Sequence, residues 1–298
     1  MIGEMPPKDP AVEYQALKEG YLDPETLSDD EIERVLKEGQ IANLHLIEDL
    51  GQPVSPHRDQ VFTGELGMGH RDVVYKAEVT SPEGKKILVV YKPDKGVGLG
   101  ALKDEELNLP SDASPYSSKE GATWIVAKAL GLTHLTMPTI KRDDLPEGAG
   151  SIRPYIWGKS LALLPRERTT LALQDRKRFQ EIAFFDYMVM GLDRRNENLI
   201  YSDSDKLLLI DNSLTFFDDS FANNFHVKGP RVSVAFDHTT NPPQLKNEPL
   251  PQELVQSLQG FLDRQDTATE DLSSLLGPKE ISDLFKRARR ALEAGTFL

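Results

Sequence analysis

The chain has 298 residues, 39% hydrophobic and 28% charged, a balance that fits a globular protein of one large domain or two lobes and argues against wholesale disorder. It has no cysteine and a net charge of −13, which excludes disulfides, thiolate metal sites and cysteine nucleophiles and makes nucleic acid or an anionic membrane surface an unexpected partner. No apolar run approaches the roughly 18 residues of a membrane span, and the opening MIGEMPPKDPAVEY has neither a basic start nor an apolar core, so the expectation is a cytoplasmic protein without a signal peptide.

Residues 1–27 are rich in Pro, Glu and Asp and read as loosely ordered. Ser28 followed three residues later by Glu31 is a capping-box pattern. Ile32, Val35 and Leu36 follow at helical spacing, and Gly39 is placed to end the helix. Residues 1–40 are therefore expected to be an extension with one short helix. From 41 to 92 the texture changes to short β-branched and aromatic runs, IANLHLIEDL, QVFTGEL, DVVYKAEV and KKILVVYK. The last two, joined by Thr80-Ser81-Pro82-Glu83-Gly84, predict a β-hairpin. Residues 93–116 carry Gly, Pro and Asp with little periodicity and predict a long loop of the kind that is often functional.

Ser117 or Ser118 is expected to cap the helix KEGATWIVAKAL, which Gly131 closes. Strand-like MPTIKRD and GSIRPYIWG follow. Beyond about residue 160 the pattern is mostly helical, with Phe179, Ile182, Phe185 and Val189 on one apolar face. NLIYS and KLLLIDNS are strand-like runs around the turn Asp203-Ser204-Asp205, and 217–248 is irregular. Two amphipathic helices finish the chain, one striped by Leu254, Leu258 and Phe261, the other by Ile281, Leu284, Phe285 and Leu292. The basic run KRARR at 286–290 reads as a solvated face. Strands early and helices late predict an α+β protein, with a smaller β-rich N-lobe over 41–157 and a larger, mainly helical C-lobe over 158–298.

The segment GLDRRNENLIYSDSDKLLLIDNS carries the chemistry. Asp193 and Asn198 lie in a polar loop after an amphipathic helix, and Asp211 ends a very apolar strand. A hairpin between Asn198 and Asp211 brings its ends together, so these two side chains are expected to converge. Phosphoryl transfer from ATP wants that arrangement. An Asp and an Asn amide oxygen are hard ligands for Mg2+ or Mn2+, and a separate carboxylate orients the incoming hydroxyl. Asp193 and Asn198 have the five-residue spacing of a kinase catalytic loop. Asp and Asn are also common in turns, and a single D-x-x-x-x-N is weak; the acidic end of a buried strand adds weight because a buried charge needs a partner.

A phosphate-gripping lysine and a helix glutamate are then required. Lys92 closes the apolar run ILVVYK, with Lys76 and Lys85 as alternatives in the same hairpin. Glu120 lies in the first turn of the next helix and competes with Glu105 and Glu106 in the loop. Gly64, Gly67 and Gly69 in GELGMGH give a weak phosphate-loop signal, and GVGLG at 96–100 reads as a plain loop. The six histidines are scattered, with no i,i+4 pair to suggest zinc.

GLDRRNENLI followed by LLLIDNSLTF resembles the catalytic and metal-binding segments of phosphatidylinositol 3- and 4-kinases, with their D-R-H-x-x-N loop and I-D-[FH]-G strand end. VVYKPDKG, KEGATWIVAKALGL, PTIKRDDLPEGAGSIRPYI and LLGPKEISDLFKRARRALEAGTF resemble an actinobacterial-type group of lipid-kinase-like proteins. The matching blocks run from about residue 85 to the C-terminus. The resemblance implies a bilobal protein-kinase-like fold that uses ATP and a divalent metal. Lys92 then contacts phosphates and Glu120 pairs with it. Backbone around Arg153, Tyr155, Ile156 and Trp157 receives adenine. Asp193 orients or deprotonates the acceptor hydroxyl, and Asn198 and Asp211 bind metal. Arg195 stands where the lipid kinases have His, Asn212-Ser213 replaces the residues after the metal Asp, and FFDDSFANN is acidic where a basic headgroup loop would lie. The expected function is transfer of the γ-phosphate of Mg-ATP to a hydroxyl of a protein or small molecule. Two alternatives stand beside it, a nucleotide-binding pseudokinase and an AMP-transferring enzyme on the same fold.

Overall fold

Ser28 starts the helix α1 (Asp29–Glu38), as its spacing predicts: the Glu31 amide donates to Ser28 Oγ at 3.3 Å and the Ser28 amide donates to Glu31 Oε2 at 3.0 Å. The computed structural model describes residues 15, 18–46, 74–94, 114–164, 175–191, 194, 198–217, 245 and 247–297. They fall into two compact units, one of residues 1–109 and 142–157 and the other of residues 110–141 and 158–298.

β1 (Gln40–Leu46), β2 (Tyr75–Thr80), β3 (Lys86–Pro93), β4 (Ile140–Arg142) and β5 (Gly150–Pro154) make a five-stranded sheet in the order β1-β2-β3-β5-β4, all of it in the first unit except Ile140 and Lys141 of β4. The predicted hairpin is β2–β3, antiparallel from Tyr75↔Tyr91 to Thr80↔Lys86. Its turn is closed by Ser81 and Lys85, with Gly84 at φ +80°. β3 is central, paired with β2 and β5, and Ile87, Leu88, Val89, Val90 and Tyr91 are all buried, so both faces of the strand are covered. α1 lies on β2 and β5 and buries Ile32, Val35 and Leu36. Gly39 ends α1 at an ordinary φ of −72°; a Cβ there would sit 2.5 Å from the Val35 carbonyl oxygen, so close approach selects the glycine. Arg142 closes the same helix end, its Nη1 donating to the carbonyls of Leu36 at 3.1 Å and Gly39 at 2.7 Å.

The second unit contains α2 (Tyr116–Leu130), β6 (Gly158–Ser160), α3 (Arg176–Val189), β7 (Leu199–Ser202), β8 (Leu207–Leu209), α4 (Gln252–Asp263), α5 (Gln265–Ser273) and α6 (Pro278–Ala294). β6, β7 and β8 form a separate three-stranded antiparallel sheet. α2 is buried on most of its faces and packs on α3, α4 and α5. That is the physical reason residues 110–141 group with the helical unit, whereas the order of elements suggested a place in the β-rich lobe. Neither Ser117 nor Ser118 caps α2: the helix starts one residue earlier, at Tyr116 after Pro115, and both serines are buried inside the first turn. Gly131 closes the helix at φ +68°, as predicted. The amphipathic tail is three helices, because α5 intervenes. Phe261 of α4 stacks on Phe285 of α6 with centroids 4.9 Å apart. Within KRARR, Arg287 points inward and its Nε donates to the Met188 carbonyl at 3.0 Å; burial of Arg287 and Ala288 corrects the expectation of a wholly solvated face. No helix among the described residues is long and apolar enough to cross a membrane.

Arg142 ties a segment distant in sequence to the C-terminal carbonyls of α1. Its replacement by Ala should cost about 1.5–3 kcal/mol, the usual range for hydrogen bonds from a charged donor, read as a lower urea midpoint at unchanged slope.

Candidate functional site

The hairpin of β7 and β8 is in register from Leu199↔Leu209 to Tyr201↔Leu207. Its turn is held by Ser202 Oγ, which accepts from the amides of Ser204 and Lys206, with Asp205 at φ +59°. At the open end the Ile210 amide donates to the Asn198 carbonyl at 3.0 Å. Asn198 therefore stands beside the strand end that carries Asp211. Asn198 is buried and Asp211 half-buried. Asp211 adopts a left-handed φ of +56°, uncommon outside glycine, and its Oδ1 accepts from Ser213 Oγ at 3.0 Å.

Arg194 holds this end of the hairpin together, and sequence reasoning passed over it. The guanidinium is 3% exposed. Nε and Nη2 donate to the Asp186 carboxylate at 3.0–3.2 Å. Nη1 donates to the carbonyls of Asn198 at 3.3 Å and Ile210 at 3.0 Å, and Nη2 donates to Asn212 Oδ1 at 2.7 Å. Asp186 lies on α3 and is fully buried; burial pushes its carboxyl above the usual range, while Arg194 pulls it back. Gly191 leaves room for the pair, since a Cβ there would lie 2.9 Å from Asp186 Oδ1. The overlooked signal was Asp186 itself, an acid inside the apolar run AFFDYMV, which demands a buried cation.

The chain after Asp211 is fastened at successive points. Thr215 Oγ1 donates to the Asn212 carbonyl at 2.8 Å, the Phe216 amide donates to the Val189 carbonyl at 2.7 Å, and Thr123 of α2 meets Thr215 hydroxyl to hydroxyl at 3.4 Å.

In the first unit, Lys92 is half-buried on β3 opposite Ser151. Leu88 and Val90 precede it on the same face by strand alternation. They cluster with Tyr155 and Trp157, whose rings meet edge to face at 5.1 Å. Arg153 pairs with Val90, the Tyr155 amide donates to the Leu88 carbonyl at 2.8 Å, and Ile156 is buried. Lys76, which alone reads as a surface charge, is buried with its Nζ 5.6 Å from the Tyr155 ring centroid, and burial lowers its pKa. Lys85 is exposed.

Glu120 is buried, and because α2 starts at Tyr116 it falls just past the first turn in which it was expected. Lys92, Arg153, Tyr155, Ile156 and Trp157 thus belong to one unit, and Glu120, Asn198 and Asp211 to the other. Asp193, Arg195, Glu105, Glu106, the GELGMGH and GVGLG loops and most of 93–116 and 217–248 lie outside the described residues.

No group of three or more His, Cys, Asp or Glu among the described residues is arranged to hold a metal ion. Asn198 and Asp211 offer one amide and one carboxylate. That donor set fits a hard cation arriving with its own phosphate and water ligands, and does not amount to a closed protein cage. Compared with known protein families the chain matches none, and no curated protein matches it.

Replacing Arg194 by Met removes the partner of a fully buried carboxylate and should cost about 3–5 kcal/mol. The pH dependence has a definite sign. Without Arg194 the folded-state pKa of Asp186 rises further above its unfolded value, so the variant loses stability as pH climbs from about 4 through the raised value and recovers it on acidification. Urea unfolding at pH 5 and pH 8 should show the larger deficit at pH 8.

Proposed function

We propose that the chain is an ATP-dependent phosphotransferase of the bilobal protein-kinase-like kind. The observation that carries the reading is the juxtaposition of Asn198 with the Asp211 strand end, clamped by the buried Arg194. One amide and one carboxylate carried at the open end of a hairpin suit the divalent cation that accompanies ATP. When bound, Mg2+ or Mn2+ neutralises charge developing on the phosphates. Asn198 and Asp211 would hold it, with Ser213 fixing one carboxylate oxygen of Asp211.

Lys92 supplies the cation for the nucleotide phosphates, leading out of an apolar strand that keeps it extended. Glu120 is the helix carboxylate that the kinase resemblance would pair with it. Leu88, Val90, Tyr155 and Trp157 form an apolar surface suited to a planar base, and the backbone of 153–157 supplies polar groups for its edge. Asp193 takes the proton of the acceptor hydroxyl as the new oxygen–phosphorus bond forms. The bond to the β-phosphate oxygen breaks and ADP leaves. The acidic FFDDSFANN disfavours an anionic lipid headgroup, so the acceptor is a hydroxyl on a protein or an uncharged small molecule.

The test is transfer or hydrolysis of γ-labelled ATP with magnesium. Asp211→Asn and Lys92→Met should each lower turnover at least about a hundredfold, because each removes charge stabilisation used in the transition state. Lys76→Met should stay within a few-fold of the parent. Retention of the α-label on an acceptor would mean AMP transfer instead, and Mg-ATP binding without turnover would mean a regulatory nucleotide module. Parental turnover in Asp211→Asn would end the proposal.

A further inference from the structure

Lys119 is a buried cation with no part in the chemistry above. It lies in the first turn of α2 and is 1% exposed. A lysine this deep is unusual unless its charge is used. Two groups meet it. Its Nζ stands 3.6 Å from the centroid of the Phe217 ring, and Glu280 Oε1 of α6 is 3.8 Å away. Phe217 is itself buried and lies six residues beyond Asp211, at the end of the fastened strip 211–217.

Glu280 is held independently. Its Oε2 accepts from the Gly277 amide at 2.9 Å and from Ser114 Oγ, and its Oε1 accepts from the Ser114 amide at 3.4 Å. The carboxylate is therefore a fixed anchor at the start of α6. One helical turn along α2, Thr123 touches Thr215 of the same strip. Lys119 and Thr123 present one face of α2 to the strip, and α6 sets the charge of that face. Burial pushes the Lys119 ammonium down to about 8, against the pull of Glu280, so it still carries its charge at neutral pH.

We infer that Lys119 is a positioning residue: charged, and anchored by Glu280, it pins the Phe217 ring and so fixes the strip that orients Asp211. The inference rests on the phosphotransferase reading for its consequence in turnover, but not for its structural part. A methionine has nearly the length of lysine and needs no partner, so Lys119→Met keeps the packing while removing the charge. Glu280 stays bonded to Gly277 and Ser114.

The experiment compares Lys119→Met, Lys119→Arg and Glu280→Gln with the parent chain in two measurements. In hydrogen exchange, Lys119→Met should speed exchange of the peptide covering 213–217 by about tenfold, with helix amides of α4 unchanged and the thermal midpoint equal or higher. In Mg-ATP turnover, kcat should fall about tenfold while KM for ATP stays within twofold, because the effect reaches the metal-binding strip and not the base site. Lys119→Arg should restore much of both. Glu280→Gln should move both in the same direction as Lys119→Met, which keeps the test decisive if the methionine variant does not fold. Parental exchange at 213–217 in Lys119→Met overturns the inference whatever the turnover. A parent chain without turnover defeats the phosphotransferase reading alone, and exchange still decides the role of Lys119.

Discussion

A guanidinium sealed beneath a hairpin organises the second unit. Arg194 has donors in a rigid planar fork, and it reaches three pieces of chain: the Asp186 carboxylate on α3, the carbonyls of Asn198 and Ile210 on either side of the hairpin mouth, and the Asn212 side chain just past it. A buried ion pair is not by itself a source of stability, because desolvating both charges offsets their attraction. Its contribution here is uniqueness. Any other register of the hairpin would leave carbonyls and a charge unsatisfied, so Asn198 and the Asp211 strand end are held side by side in one arrangement.

The strip 211–217 extends that constraint outward. Asp211 and Phe216 both sit in the left-handed region, at φ +56° and +57°. Neither has the freedom of glycine, so each conformation costs of order 1 kcal/mol and persists because neighbours over-determine it. Those neighbours are the Val189 carbonyl, which accepts a hydrogen bond from the Phe216 amide, the hydroxyl of Thr123 against Thr215, and Lys119 against the Phe217 ring. Residues on α2, α3 and α6 thereby bear on the strip that begins at Asp211.

The β-rich unit follows a different rule. Its central strand is buried on both faces, and alternation alone sorts Leu88, Val90 and Lys92 to one side and Ile87, Val89 and Tyr91 to the other. Lys76 shows the limit of reading a strand in isolation. Placed across from Val90 and beside Tyr155, it is covered by neighbours supplied from β3 and the segment after β5.

What the sequence determined by itself was whatever depends on neighbours within a few residues. The capping box at Ser28, the hairpin of 75–93, the αL glycine at 131 and the hairpin that brings Asn198 beside the Asp211 strand end all rest on local spacing, and all are present. What depends on partners far along the chain was decided only by tertiary structure. The start of α2, the break that makes α5 a separate helix, the burial of Lys76, Lys119 and Arg287, and the clamp between Asp186 and Arg194 belong to this class. A charged side chain has the same local signature in water as in a core. Only when distant helices and strands close over it does its desolvation have to be met by a particular opposite charge or ring, and no short window of sequence contains both halves of that pair.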